Sequence, residues 1–416
     1  MSIKSGELLH VGNQVLMHRA QTAGPGSLNI PQEHIYELGN YLGVGVVRDT
    51  PDLKFTMESL DCSAALECLI TGATFSGMAD GTAIDISGVL PLDVASQFKG
   101  GKQATDPYAV QASVAIPYVL TDSLSYKLGL KSNASQTVSL SGDGIYFVGG
   151  TTYVQVAAGT NTANQTVVLA NTTLPYTGDT TNGTKYALSV TIAETGQRLI
   201  LGADYTEAAA TPGSPGPSAQ SKTVTLTILA AVPTTQHIRV TYQSDVAGSY
   251  PQLSHVVASA VKPAAIRGRD IEVRVGGTSV TNRWSSVQSV DINWSVKLER
   301  DEEFGNQNVV DQDFEVPEVK GSIELKPRST TELIKRIKQI AGITDDSVIG
   351  PITSVLLPVE VIIHSPVDGS VLKTLYVPDA RFTLPGFQGK VQSKMTVKLD
   401  FESDSGQFTV YKGLKP

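Results

Sequence analysis

Histidines stand at positions 10, 18, 34, 237, 255 and 364, and the chain has two cysteines, Cys62 and Cys68. A zinc site needs three or four such ligands at short recurrent spacings, as in H-E-x-x-H or paired C-x-x-C. His10, His18, His34, His237, His255 and His364 follow no such pattern, so each reads as a surface or strand histidine. Gly100-Gly101-Lys102 lacks the leading Gly and the following Ser or Thr of a phosphate-cradling loop, and no G-x-S-x-G elbow occurs. Ser141-Gly142-Asp143-Gly144 lacks the spaced oxygen ligands of a calcium loop and reads as a tight turn. The residues predict no catalytic centre, no cofactor and no metal. A glycoside hydrolase is the one enzyme class that motifs leave open, because its two carboxylates have no fixed spacing.

Charge narrows the partners. Thirty-two Lys and Arg against 40 Asp and Glu give a net charge of -8, the wrong sign for a protein that grips phosphates through counterion release. Two compact basic groups stand out, Arg267-Gly268-Arg269 and Lys335-Arg336-Ile337-Lys338. The first reads as a solvated linker and the second as the polar face of a helix. Glu299-Arg300-Asp301-Glu302-Glu303 reads as a solvated loop after a strand, with an inter-subunit salt-bridge site as the alternative. Cys62 and Cys68 fall on a predicted short helix as small buried hydrophobes rather than a disulfide. The first ten residues carry Glu7 and no apolar core, and no run of 18 apolar residues occurs. The expectation is a protein without a signal peptide or membrane span, soluble in the cytosol when made.

The elements follow from a self-similarity. Glu37-Leu38-Gly39-Asn40 reappears 266 residues later as Glu303-Phe304-Gly305-Asn306, and Val44, Pro51, Lys54, Glu58 and Ser63 match Val310, Pro317, Lys320, Glu324 and Ser329. From Glu37 to Ser63 this makes eight identities in 27 ungapped positions, and Asp49 with Glu315 and Asp52 with Glu318 keep charge. After each shared Pro the apolar residues alternate, Leu53, Phe55, Met57 and Val319, Ile323, predicting a half-buried strand. Ser329-Thr330-Thr331-Glu332 then has the form of a capping box before Leu333, Ile334, Ile337 and Ile340, with Gly342 as the stop. Ser63, Leu66, Leu69, Ile70 and Gly72 form a weaker version.

Further strand patterns flank both blocks. They run from Glu7 to Arg19, Val110 to Leu120 and Leu124 to Leu140 around the first, and Asp270 to Val275, Val287 to Leu298, Ser354 to His364, Leu372 to Val377 and Val391 to Phe401 around the second. Between them lies Gly-, Ala-, Thr- and Asn-rich sequence with predicted strands Tyr186 to Ile192, Arg198 to Leu201, Thr223 to Leu229 and Ile238 to Gln243, interrupted by the Pro/Gly loop Thr211 to Pro217. The expected class is mainly β. Residues 1–145 and 256–416 form two related antiparallel β-sandwich or barrel domains, each with one flanking short helix, and residues 146–255 form a separate immunoglobulin-like β-sandwich.

The block from Ile35 to Gly72, with its E-L-G-N turn, loop, Pro-led strand and short helix, resembles the core of the major tail tube proteins of long-tailed bacteriophages. The block from Glu299 to Gly342 resembles a second one. The resemblance implies a structural virion protein rather than an enzyme, one that joins edge to edge into rings and stacks into the tail tube through which DNA is ejected. Single-domain members form six-membered rings, so two such domains imply a trimeric, pseudo-hexameric ring of siphophage type. It further implies contact with tape-measure, tail-terminator and baseplate proteins, DNA that passes without specific binding, no membrane insertion, and assembly in the host cytoplasm. The middle sandwich would project outward as a decoration.

The loops Glu37 to Asp52 and Glu303 to Glu318 are then expected to reach a neighbouring subunit or ring. The candidate contact residues are Glu37, Asn40, Val44, Asp49, Asp52, Glu303, Asn306, Val310, Glu315 and Glu318. Alternatives are another tail or baseplate component, or a tandem β-sandwich adhesin or carbohydrate-binding protein. The low aromatic content, 6% with Trp284 and Trp294 as the two indoles, argues against the last.

Overall fold

The computed structural model describes residues 4–11, 14–16, 20–29, 32–35, 45–48, 52–60, 62–73, 75, 77–99, 110–142, 144–149, 151–172, 186–209, 222–244, 265–277, 282–301, 311–343, 355–383 and 396–416. Among these, strands β1 (Lys4–Val11), β2 (Gln14–Leu16), β3 (Ala20–Asn29), β4 (Gln32–Ile35), β5 (Gly45–Arg48) and β6 (Asp52–Ser59) precede helix α1 (Ala65–Ile70). They are followed by β7 (Ala83–Asp85), β8 (Leu92–Lys99), β9 (Val110–Gly129), β10 (Ser135–Gly142) and β11 (Tyr146–Gly149). The middle holds β12 (Thr151–Ala158), β13 (Gln165–Thr172), β14 (Ala187–Ile192), β15 (Tyr205–Ala209), β16 (Lys222–Ile228) and β17 (His237–Ser244). Then come β18 (Ile271–Val275), β19 (Val287–Ser295), β20 (Leu298–Asp301), β21 (Asp311–Phe314), β22 (Glu318–Leu325), α2 (Thr330–Ala341), β23 (Leu356–His364), β24 (Val371–Thr383), β25 (Val397–Ser403) and β26 (Thr409–Lys412). The protein is mainly β, with large antiparallel sheets and two α-helices among the described residues.

One 16-stranded sheet holds strands from both ends of the chain, in the path β18-β23-β24-β25-β22-β19-β9-β10-β6-β3. Elements recur in it and in two separate two-stranded hairpins. The hairpin β4·β5 pairs Gln32 with Arg48 and Ile35 with Gly45, and 266 residues later β20·β21 pairs Leu298 with Phe314 and Asp301 with Asp311. The pairing of Asn29 with Asp52 in β3·β6 recurs as Ser295 with Glu318 in β19·β22.

The middle strands form a six-stranded sheet in which β17 pairs β12 and β14, and β16 pairs β13 and β15. Its own core gathers Val167, Leu169, Val190, Tyr205, Val224, Leu226, Ile238, Val240 and Tyr242. The alternation of Val224, Leu226 and Ile228 with threonines places those three inward.

Two expectations shift. The predicted break after Leu120 does not occur: β9 runs unbroken from Val110 to Gly129, and the turn falls between Gly129 and Ser135. Pairing overrides local pattern there, because β9 leaves β8 at Val119 and takes up β10 at Leu120. Tyr118 marks the transfer with a left-handed φ of 54°, its N–H held by Asp93 Oδ1 at 3.0 Å. The predicted strand Arg198 to Leu201 is only two isolated bridges, Thr191 with Arg198 and Leu201 with Tyr205, because Asp204 folds the backbone into a turn by accepting from Ile200 N–H. Residues 211–217 lie outside the described residues.

Helix α2 is built as its sequence dictates. Ser329 Oγ accepts from Glu332 N–H at 3.1 Å, Leu333, Ile337 and Ile340 are buried, and Gly342 ends the helix at φ 68°. α1 has no side-chain cap, and five of its six residues are buried. Cys62 and Cys68 are buried thiols, not a disulfide. Burial first, and then the charge of Glu67, pushes the Cys68 thiol up to about 11, which keeps it an inert hydrophobe.

Candidate assembly interface

Two seams tie the N-terminal and C-terminal strands together. In the first, β9 pairs β19 antiparallel from Gly129 with Ser289 to Ser123 with Ser295. The order β9-β10-β6-β3 on one side of this seam repeats the order β24-β25-β22-β19 on the other. The seam therefore joins the first strand of one run to the last strand of the next, head to tail.

In the second, β7 pairs β26 through Asp85 with Thr409, Ile84 with Val410 and Ala83 with Tyr411. Lys412 Nζ beside it donates to Met78 O and lies over the Phe75 ring.

A polar cluster is sealed inside the second seam. Lys373 on β24 reaches α1, where its Nζ lies 2.6 Å from Glu67 Oε1, 2.8 Å from Gln136 Oε1 and 3.2 Å from Ser63 O. Lys373 and Glu67 are both fully buried. Tyr126 Oη donates to the same Glu67 oxygen at 2.5 Å, while Glu67 Oε2 accepts no hydrogen bond from the protein. Burial, and then the charge of Glu67, pushes the Tyr126 phenol well above its usual range, so it remains a donor. Phe408 closes the cluster edge-on to Tyr126 at 5.8 Å.

A third contact fixes the middle sheet. Arg239 on β17 lies 3.3 Å from Asp93 on β8 and donates to Pro91 O at 2.8 Å, and Thr241 Oγ1 donates to Asp93 Oδ2 at 2.7 Å. Leu188 of β14 packs with Ala115 and Tyr146 beside it.

Among the described residues of β6, β9, β19, β22, β24 and β25 the solvent face is polar and close to neutral. Lys54, Lys127, Lys320, Arg381 and Lys398 stand among Asp52, Glu58, Asp291, Glu318, Glu324, Asp400 and Glu402, five cations against seven carboxylates. Lys398 pairs Asp400 at 2.9 Å and Lys320 pairs Glu318 at 2.6 Å. Exposed pairs of this kind cancel charge while adding little stability.

Of the ten residues singled out by the repeat, Glu37, Asn40, Val44, Asp49, Glu303, Asn306 and Val310 lie outside the described residues. Asp52 opens β6 opposite Asn29 and is half-buried. Glu315 is exposed, bonded to Lys297 at the base of the β20·β21 hairpin, and Glu318 opens β22. Phe314 and Val316 beside Glu315 are also exposed, Val316 at 79%.

The seam residues carry no motif. Lys373 lies 306 positions from Glu67 and Tyr126 lies 59 from it, and the one hint is a Glu inside the apolar run of α1. Among the described residues no three His, Cys, Asp or Glu side chains converge as metal ligands, and no helix is long and apolar enough to cross a membrane. No family model matches the chain, and neither does any curated protein.

Proposed function

We propose that the chain is a structural virion protein whose rings stack into a bacteriophage tail tube. In this reading the strand runs around β6 and β22 are tandem tube domains. Three chains supply the six positions of a ring, and the middle strands are an immunoglobulin-like decoration on its outside. The observation that carries the reading is the head-to-tail seam β9·β19. It leaves β3 at one end paired only to β6 among the described residues, while β24 at the other end of the run is covered by β23 and β26.

A heterologous join that repeats either closes into a ring or runs on as a filament. Closure also removes the exposed sheet edges that are a liability in a monomer. The nearly neutral solvent face of the shared sheet suits a conduit, since a basic wall would hold phosphates and retard DNA. The exposed Phe314 and Val316 at the hairpin base suit contact with a neighbouring subunit or ring. Tape-measure, terminator and baseplate proteins would meet the ends of the tube.

Negative-stain microscopy and sedimentation of the purified full-length chain test the reading. Hollow tubes or threefold rings are expected, and a dispersed monomer at all concentrations would overturn it.

A further inference from the structure

We infer that Lys373 and Gln136 are the partners of an intramolecular isopeptide bond, formed within the folded chain with Glu67 as proton carrier. The proposal goes beyond the assembly reading and does not depend on it. An amine, a carboxylate and a carboxamide meet out of contact with water: Lys373 and Glu67 are fully buried, and Gln136 is 1% exposed. Nζ lies 2.6 Å from Glu67 Oε1 and 2.8 Å from the carbonyl oxygen of the Gln136 amide, one bond from the carbon it would attack. The reacting groups are thus already held together, which is the condition under which a sluggish amide exchange becomes feasible. Tyr126 Oη donates to the same carboxylate oxygen and holds it in place.

The step balances without an outside reagent. One proton moves from the Lys373 ammonium to Glu67, and the freed lone pair forms a bond to Gln136 Cδ. The Cδ–Nε2 bond breaks, and the leaving nitrogen takes a second proton from Nζ, relayed by Glu67. Ammonia departs. The secondary amide that remains joins β24 to β10, and Glu67 stays protonated beside Tyr126. The same three acceptors would also suit an unreacted ammonium, and the two states differ by one ammonia in mass.

Intact-mass and tryptic-peptide measurements on the purified full-length protein decide between them, with Lys373→Arg and Glu67→Gln as references. The wild type is expected to weigh one ammonia less than its sequence and to yield a branched peptide joining Lys373 to Gln136, while both variants keep full mass. Wild-type protein at full mass, or lighter but with only linear peptides at these positions, would overturn the proposal. The wild-type measurement stands alone if either variant fails to fold.

Discussion

Helices α1 and α2 begin at nearly the same place in the repeat, yet they are held by different means. α2 is twelve residues long, capped at both ends, with one buried face, and Ile334 on its other face is 45% exposed. α1 is six residues long, uncapped by any side chain, and buried all round. Position 68, the counterpart of Ile334, is the buried Cys68. A self-sufficient helix needs caps and an amphipathic stripe. One enclosed by another part of the chain can dispense with both. The enclosing part here is β24 with Lys373 and the β7·β26 seam.

The largest effect should come from α1's dependence on that enclosure. Lys373→Met denies the folding chain the cation that meets buried Glu67 before any cross-link forms, and should cost about 3 to 5 kcal/mol in urea unfolding. A loss below about 1 kcal/mol would show that α1 does not rely on β24. In α2, Ile337→Ala should remove about 3 kcal/mol by opening a cavity under a helix that otherwise stays formed. Retained helical circular dichroism before the transition checks this.

Ser329→Ala, by contrast, should cost only about 1 kcal/mol, the loss of one cap. Glu332 offers a pH test: bonds from Ser285 and the Arg328 N–H hold its carboxyl below its ordinary value. Its contribution is therefore present above the ordinary carboxylate range and lost as pH falls through the lowered value. The gap between wild type and Glu332→Gln should shrink on acidification. Glu360 on β23 should act with the opposite sign, since burial raises its carboxyl and no hydrogen bond from the protein reaches either oxygen. The smallest effect is Ile334→Lys, within about 0.5 kcal/mol of wild type.

α2 was legible in the sequence because its determinants are local: Ser329, Glu332, the spaced apolar residues and Gly342. The paired strands β6 and β22 were legible for the same reason, from Leu53, Phe55 and Met57 and from Val319 and Ile323. What the sequence hides is non-local. Nothing around Ser123 or Ser289 announces that β9 and β19 will pair, and Lys373 looks like any strand lysine. Asp93 and Arg239 are likewise 146 residues apart, and their contact depends on how the middle sheet sits against β8. Gly321 shows the limit from the other side. A Cβ there would lie 2.3 Å from the Phe401 ring, yet its counterpart in the repeat is Phe55, so alignment alone gives no reason for the glycine.

The seam between β9 and β19 also sets an order of events during synthesis. The edge of β9 from Ser123 to Gly129 is complete long before Val287 to Ser295 leaves the ribosome, so the N-terminal strands wait with an unpaired edge for more than 150 residues. Pairing across such a distance is slow, and the open edge invites the β19 of another chain. Refolding should therefore be slow and concentration-sensitive, with exchanged dimers as its by-product.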